Sequence, residues 1–372
     1  MGQDGALSED IVNPTLAVAL LFFLACALFM IPMLPAIFEL RLKQDAQPLN
    51  VVQQYAGDIR HFAHRFGDYV QRLSPLLEDC AATGTNSTTK LPGGDECLLL
   101  GRNSTGSAIP AGPKALTCAL VIIAAADLAL PDEMTFLKEI YVAEKLIGGE
   151  GNTYRAVLGE KDIFLGPSSK VMRWAHAAGA FHASRECDLY GRVSSDRQIV
   201  LQSGCVFQRL NAPRIITGSD DSVFSPPNAP FSASPGSDRS PSMPVERRVF
   251  QGDFQIGAGD VVAGDIVARG NVHIGEGATL LGSVKGNKEL VIERGAFVGG
   301  SLISAGNMRI GPGCRIHGPV IAERGMIIAS DTQCGGKEAP TTVSAPQIHV
   351  EEGILVFGTL WARDFGQVVP RA

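Results

Sequence analysis

Apolar positions recur along the C-terminal half of the chain with a fixed step. Ile256, Ile274, Ile292, Ile310 and Ile328 are each 18 residues apart. Around them the same frame holds. Val262, Leu280, Val298 and Ile316 form a second column, and Ile266, Val284, Leu302 and Val320 a third. Val272, Leu290, Met308 and Met326 form a fourth, and the small residues Ala268, Gly286, Ser304 and Ala322 a fifth. Gly259, Gly277, Gly295 and Gly313 punctuate every turn. A last turn from Val350 repeats the frame after a four-residue excess. The period is too short for helical repeats of roughly 33–47 residues. It predicts an all-β parallel β-helix with three short strands per coil, alternate residues pointing inward and glycines at the corners.

The same period runs through the preceding region with more noise. Ile147, Leu165, Ala183 and Leu201 are 18 apart, as are Ile163, Phe181 and Ile199, and Val171, Leu189 and Phe207. The reading is a first β-helical part over 118–216, a disordered insert over 217–248 and a second part over 249–366. The insert carries eight serines and six prolines and suits a loop ejected from one corner. Roughly ten coils at ~4.8 Å each predict a rod of about 48 Å.

The N-terminal pattern is different. From Ile11 to Phe38 there is no charged residue. After a tail over 1–14, a transmembrane helix is expected over 15–40, with Leu16, Leu20, Phe22 and Phe29 facing lipid and Pro32 and Pro35 near its end. No Lys or Arg precedes the span, whereas Arg41 and Lys43 follow it. This argues for a retained anchor over a cleaved signal, with the C-terminal bulk on the cytoplasmic side. Residues 48–77 then show apolar steps at Tyr55, Ile59, Phe62, Phe66, Tyr69 and Leu73, an amphipathic helix expected to pack on the main body. Residues 78–117, rich in Gly, Thr, Asn and Ser, read as a linker.

Composition narrows the function. The 372 residues are 45% hydrophobic with net charge −6, which excludes a wholly disordered chain and a basic nucleic-acid binder. Eight cysteines contain no C-x-x-C pair, so no zinc site or other cofactor is expected. The G-x-G triplets at 257–259, 275–277 and 311–313 recur at the coil period and open no helix, so they are corners and not phosphate loops. Asp260 and Asp265 read as solvated corner residues. An acyltransferase of the hexapeptide-repeat kind is the enzyme alternative, acting on a sugar or lipid precursor, and needs a histidine base. His176, His182, His273, His317 and His349 are the candidates, with His273 and His349 in one outward column. A surface role is the expectation for all five, because the sequence identifies no acidic partner to orient any of them. Phe357, Leu360, Trp361 and Phe365 gather near the C-terminal end and are expected to cap the rod or form its end-to-end assembly contact.

The turns over 249–330, beginning FQGDFQIGAGDVVAGDIVARGNVHIGEGATLLGSVKG, resemble the bactofilins, the polymer-forming cytoskeletal family of bacteria. The resemblance extends more weakly over 131–215. It implies a triangular β-helix whose ends stack without nucleotide, attachment beneath the bacterial inner membrane, and recruitment of cell-envelope or polysaccharide synthesis proteins. The expected function is therefore a membrane-anchored, non-catalytic, self-assembling scaffold.

Overall fold

A computed structural model describes residues 18–28, 30–31, 58–91, 93–102, 106–110, 116–218 and 247–371, together with Thr15. Residues 1–57 form one compact unit and Asp58–Ala372 another. In the first unit residues 18–28 are helical, with Leu20 and Phe22 exposed. Leu16, Phe29, Pro32 and Pro35 lie outside the described residues. Among the described residues no helix is long and apolar enough to cross a membrane.

The second unit is a β-solenoid of about twelve coils. In its second half the coils from Arg247 to Cys334 each have three strands of two to four residues, stacked in parallel at an 18-residue register: Ile274 faces Ile292, Val262 faces Leu280, and Ile266 faces Val284; the last coil has the longer strands Thr341–Glu351 and Leu355–Val369. Every column predicted there points inward. Leu280, Leu290, Val298, Leu302, Ile310 and Val320 are fully buried. Stacking works because each coil supplies the hydrogen-bond partners and the apolar floor for the next. Leu290→Ala is expected to cost about 2–5 kcal/mol of stability, read by urea unfolding, since neighbouring coils cannot collapse into the space. One corner of each coil takes a left-handed conformation. Gly259, Gly277, Gly295 and Gly313 occupy it at φ 72, 64, 68 and 73°, where a Cβ is disfavoured.

The first half follows the same plan, and its inward columns include Ile163–Phe181–Ile199 and Val171–Leu189–Phe207. One predicted column needs correction. Leu146 faces Ile163, so Ile147 pairs with Phe164 and points outward, half exposed; that step is 17 residues. Inside, the Phe136 and Tyr154 rings stack at 5.5 Å and 4°.

The linker expected over 78–117 is largely structured. Helix α1 (His61–Gln71) is followed by α2 (Ser74–Thr83), with Pro75 in its first turn and Gly84 in the left-handed conformation at its end. Strands β1 (Ser87–Lys90) and β2 (Glu96–Leu100) then pair antiparallel, and β2 begins the coil stack. As expected, α1 packs on the main body, on a stripe that keeps Ile59, Phe66 and Leu73 of the expected one and turns Phe62 and Tyr69 out of it. Ala63, Phe66, Val70 and Leu73 are buried against Leu99, Ile123, Ala156, Leu158 and Trp174, whereas Phe62 and Tyr69 are exposed. Small Ala63 and Gly67 let the backbone approach Leu158, and the Phe62 and Tyr69 rings sit under Arg192 and Arg72 instead. Residues 48–57 of the expected helix lie outside the described residues.

Candidate functional site: the tail-to-tail junction and the open coil

The two halves of the solenoid do not run in one direction. The last strand of the first half, Val206–Thr217, pairs antiparallel with the last strand of the second, Leu355–Val369. Leu210 faces Leu360, Ile215 faces Val356, and Phe207 faces Gly366. The halves meet at their C-terminal coils, and one buried core runs from Leu98 through the junction to Val368. Each final coil satisfies the other's backbone edge: Gly204 N–H donates to Val368 O at 2.9 Å and Val368 N–H to Cys205 O at 2.8 Å. Asn211 Nδ2 donates to Thr359 Oγ1 at 2.9 Å, and Thr217 Oγ1 to Glu351 O at 2.6 Å. On the outer surface Val200, Ile216 and Leu355 form a small apolar cluster with Phe357 across the seam.

This arrangement corrects the assembly contact expected at Phe357, Leu360, Trp361 and Phe365. Their strand is not an open edge. Leu360 is fully buried against Leu210, Phe357 and Phe365 are half-buried, and the Arg209 guanidinium lies 5.1 Å from the Trp361 ring. Burial and nearby Arg192 lower the Arg209 pKa, yet a guanidinium stays charged. These residues join the two halves of one chain.

The open coil is at the opposite end of the second half. Among the described residues, strands Arg247–Phe250, Phe254–Ile256 and Val261–Val262 each pair with one neighbour, in the following coil. Phe250, Phe254 and Val262 belong to inward columns, yet they are only half-buried, and no coil among the described residues lies beyond them. The Phe250 and Phe254 rings touch at 4.4 Å, and Val249 and Val261 are 54% and 68% exposed. The far end of the first half is built differently. There β1, with the sequence STTK, adds a polar strand to β2, and Gly106 of the turn Gly106–Ala108 lies against Ala129 and Pro131. Polar residues and a lysine on a terminal strand blunt its edge. The 247–262 coil has no such strand among the described residues.

The five candidate histidines lie apart. His273 and His349 do share one outward column, separated by Val291, Arg309 and Ile327. His273 Nε2 is 3.1 Å from Glu293 Oε1, an acidic partner that the sequence did not reveal because it sits 20 residues on, in the next coil. His349 meets the Phe365 ring edge-on at 5.8 Å, His317 the Phe297 ring at 5.0 Å, and His182 stacks on Phe164 at 4.5 Å. His176 is buried beneath α1, with Nδ1 2.9 Å from Ser194 Oγ. A shallow groove of about 420 Å³ follows the outward column past Val291, Arg309, Ile327 and His349. Burial pushes the Cys314 thiol up to about 11 and that of Cys334 to about 12, so both stay protonated and inert. Among the described residues no cluster of His, Cys, Asp and Glu is arranged to hold a metal ion.

The chain matches no protein-family model, and neither the curated proteins nor the solved structures contain a match.

Proposed function

We propose that this protein is a membrane-tethered β-solenoid scaffold that joins a second copy through its open coil and presents its faces to cell-envelope synthesis partners. The observation that carries this reading is the coil 247–262, whose strand edges are unpaired among the described residues around an apolar cross-section made by Phe250, Phe254 and Val262. The junction inside the chain supplies the chemistry: two terminal coils of this protein satisfy one another by antiparallel pairing. Two open coils from two copies meet the same need through a self-complementary contact. Residues 219–246 are a poor alternative cover. They contain six prolines, which cannot donate to a strand ladder. The tether rests on the uncharged run from Ile11 to Phe38 and the basic residues after it. The envelope role rests on the bactofilin resemblance of the 249–330 turns.

Because the halves are tail-to-tail and the other end is blunted by β1, this scaffold forms pairs of rods, not long filaments. Sedimentation and electron microscopy of the full chain in detergent test this. The expected particle is a dimer of rods joined end to end, about twice the ~55 Å length of one solenoid. Compact trimers that bind an acyl donor would replace this reading with the hexapeptide-type acyltransferase. Monomers at every concentration would remove the self-assembly.

A further inference from the structure

Helix α1 is held by more than apolar contact. His176 projects outward from the strand Lys170–Ala177 and is 5% exposed. From the solenoid it is faced by Ser194, with Oγ 2.9 Å from its Nδ1, and by Asp196, with Oδ2 3.8 Å from its Nε2. From the α1 side it is faced by the His64 ring at 6.3 Å, nearly perpendicular, and by Arg60. Arg60 reaches across to Asp196 at 2.7 Å, and Asp58 Oδ2 lies 3.5 Å behind His64 Nδ1. One carboxylate, Asp196, thus serves both the imidazole and the guanidinium that fastens the helix.

We propose that His176 makes α1 a proton-released latch, docked on the solenoid while the ring is neutral and set free when the ring is protonated. A protonated ring here is buried and faces Arg60 and His64, while Asp196 is already engaged by Arg60. Burial, the largest influence, lowers the His176 pKa; Asp196 raises it, and Arg60 and His64 lower it further. The docked state therefore binds the proton less readily than the undocked state, where the ring sits in water near the ordinary value of about 6.5. Docking is complete above that range and is lost as pH falls through and below it.

The helix itself makes release all-or-none. It has 11 residues with Gly67 inside it and no side-chain N-cap. Isolated helices shorter than ~12–15 residues are marginal in water, and a glycine costs about 1 kcal/mol more. Off the surface of Ala156, Leu158 and Trp174, α1 melts. Its release uncovers the apolar face made by Leu99, Ile123, Ala156, Leu158 and Trp174.

Hydrogen exchange of the full chain in detergent tests the latch, with protection corrected for the intrinsic rate at each pH. Between pH 8 and pH 5 the protection of amides 61–71 is expected to fall several-fold, while the strands from Val261 to Ile328 keep theirs. In His176→Gln the 61–71 protection should be flat over that range. A flat wild-type profile, or an unchanged fall in His176→Gln, would overturn the proposal. Should that variant fail to dock at pH 8, histidine NMR of the wild type decides. The His176 resonance must titrate in step with the loss of protection, and a ring that stays neutral throughout the loss refutes the latch.

Discussion

Replacing Asn211 and Thr359 by cysteine is expected to yield a disulfide within one chain, in high yield. The two positions are directly opposed in the antiparallel junction, and their side chains already meet at 2.9 Å. A disulfide needs Cα atoms within about 7 Å. In a rod whose coils all ran one way, these positions would lie about six coils apart, roughly 29 Å, and no bond would form. Peptide mapping of oxidised protein reads the outcome, and absence of the 211–359 link would sink the tail-to-tail arrangement. The same geometry makes a cut chain hold together. Cleavage at a protease site placed within residues 219–246 should leave two fragments that co-elute, because Phe207, Leu210, Ile215, Val356, Leu360 and Val368 remain buried in one core. Gly366→Val should loosen that particle by about 1–3 kcal/mol. A Cβ at 366 would overlap the Phe207 ring, which the facing coil cannot move aside.

Charge placed on the open coil should separate the copies without unfolding either. In Phe254→Glu the carboxylate faces the apolar end of the second copy, whereas in the single rod the half-buried position leaves it access to water. An unpaired charge buried at an interface costs about 2–5 kcal/mol, so the dimer dissociation constant should rise roughly a hundredfold or more. Analytical ultracentrifugation measures the constant, and circular dichroism checks that the solenoid is intact. Trp361→Glu gives the contrast. Trp361 pairs with Arg209 inside the chain, so this change should lower thermal stability and leave the dimer constant alone. The reverse pattern, dimers broken by Trp361→Glu and untouched by Phe254→Glu, would return assembly to the C-terminal strand.

The reason one half of the rod reads clearly in sequence and the other poorly is visible at a single corner. The left-handed position of each coil is Gly259, Gly277, Gly295, Gly313, Asp331 and Gly353 in the second half, with one non-glycine in six, but Glu133, Gly151, Ser168, Glu186 and Gly204 in the first, with three in five. The first half holds non-glycine residues at φ values near 55–60° there, and the cost is met by the packing of the coils around them. Its outward faces are also covered: Leu99, Ile123 and Leu158 lie under α1, so apolar residues fall on both sides of each strand and the alternation blurs. The step of 17 from Leu146 to Ile163 breaks the column that an 18-residue frame predicts. At α1 the apolar stripe was legible and its rotation was not. Packing chose Ala63 and Gly67 for closeness and left Phe62 and Tyr69 outside.

What the sequence determined by itself was everything that repeats. An inward residue in one coil must sit on an inward residue in the next, so the fold writes its period into the chain: the three-strand coil, the buried columns and the glycine corners from Phe254 onward. What only the tertiary structure decided was direction and partnership. Residues 219–246 span about 92 Å when extended at ~3.3 Å per residue, far more than the roughly 29 Å length of the second half. The connection therefore permits either direction, and nothing in the period distinguishes them. The choice falls to surfaces far apart in sequence, Leu210 against Leu360 and Phe207 against Gly366. The pairing of His176 with Ser194, Asp196 and the Arg60 that binds Asp196 is of the same kind. It joins one helix to two coils, and it exists only once α1 lies on the rod.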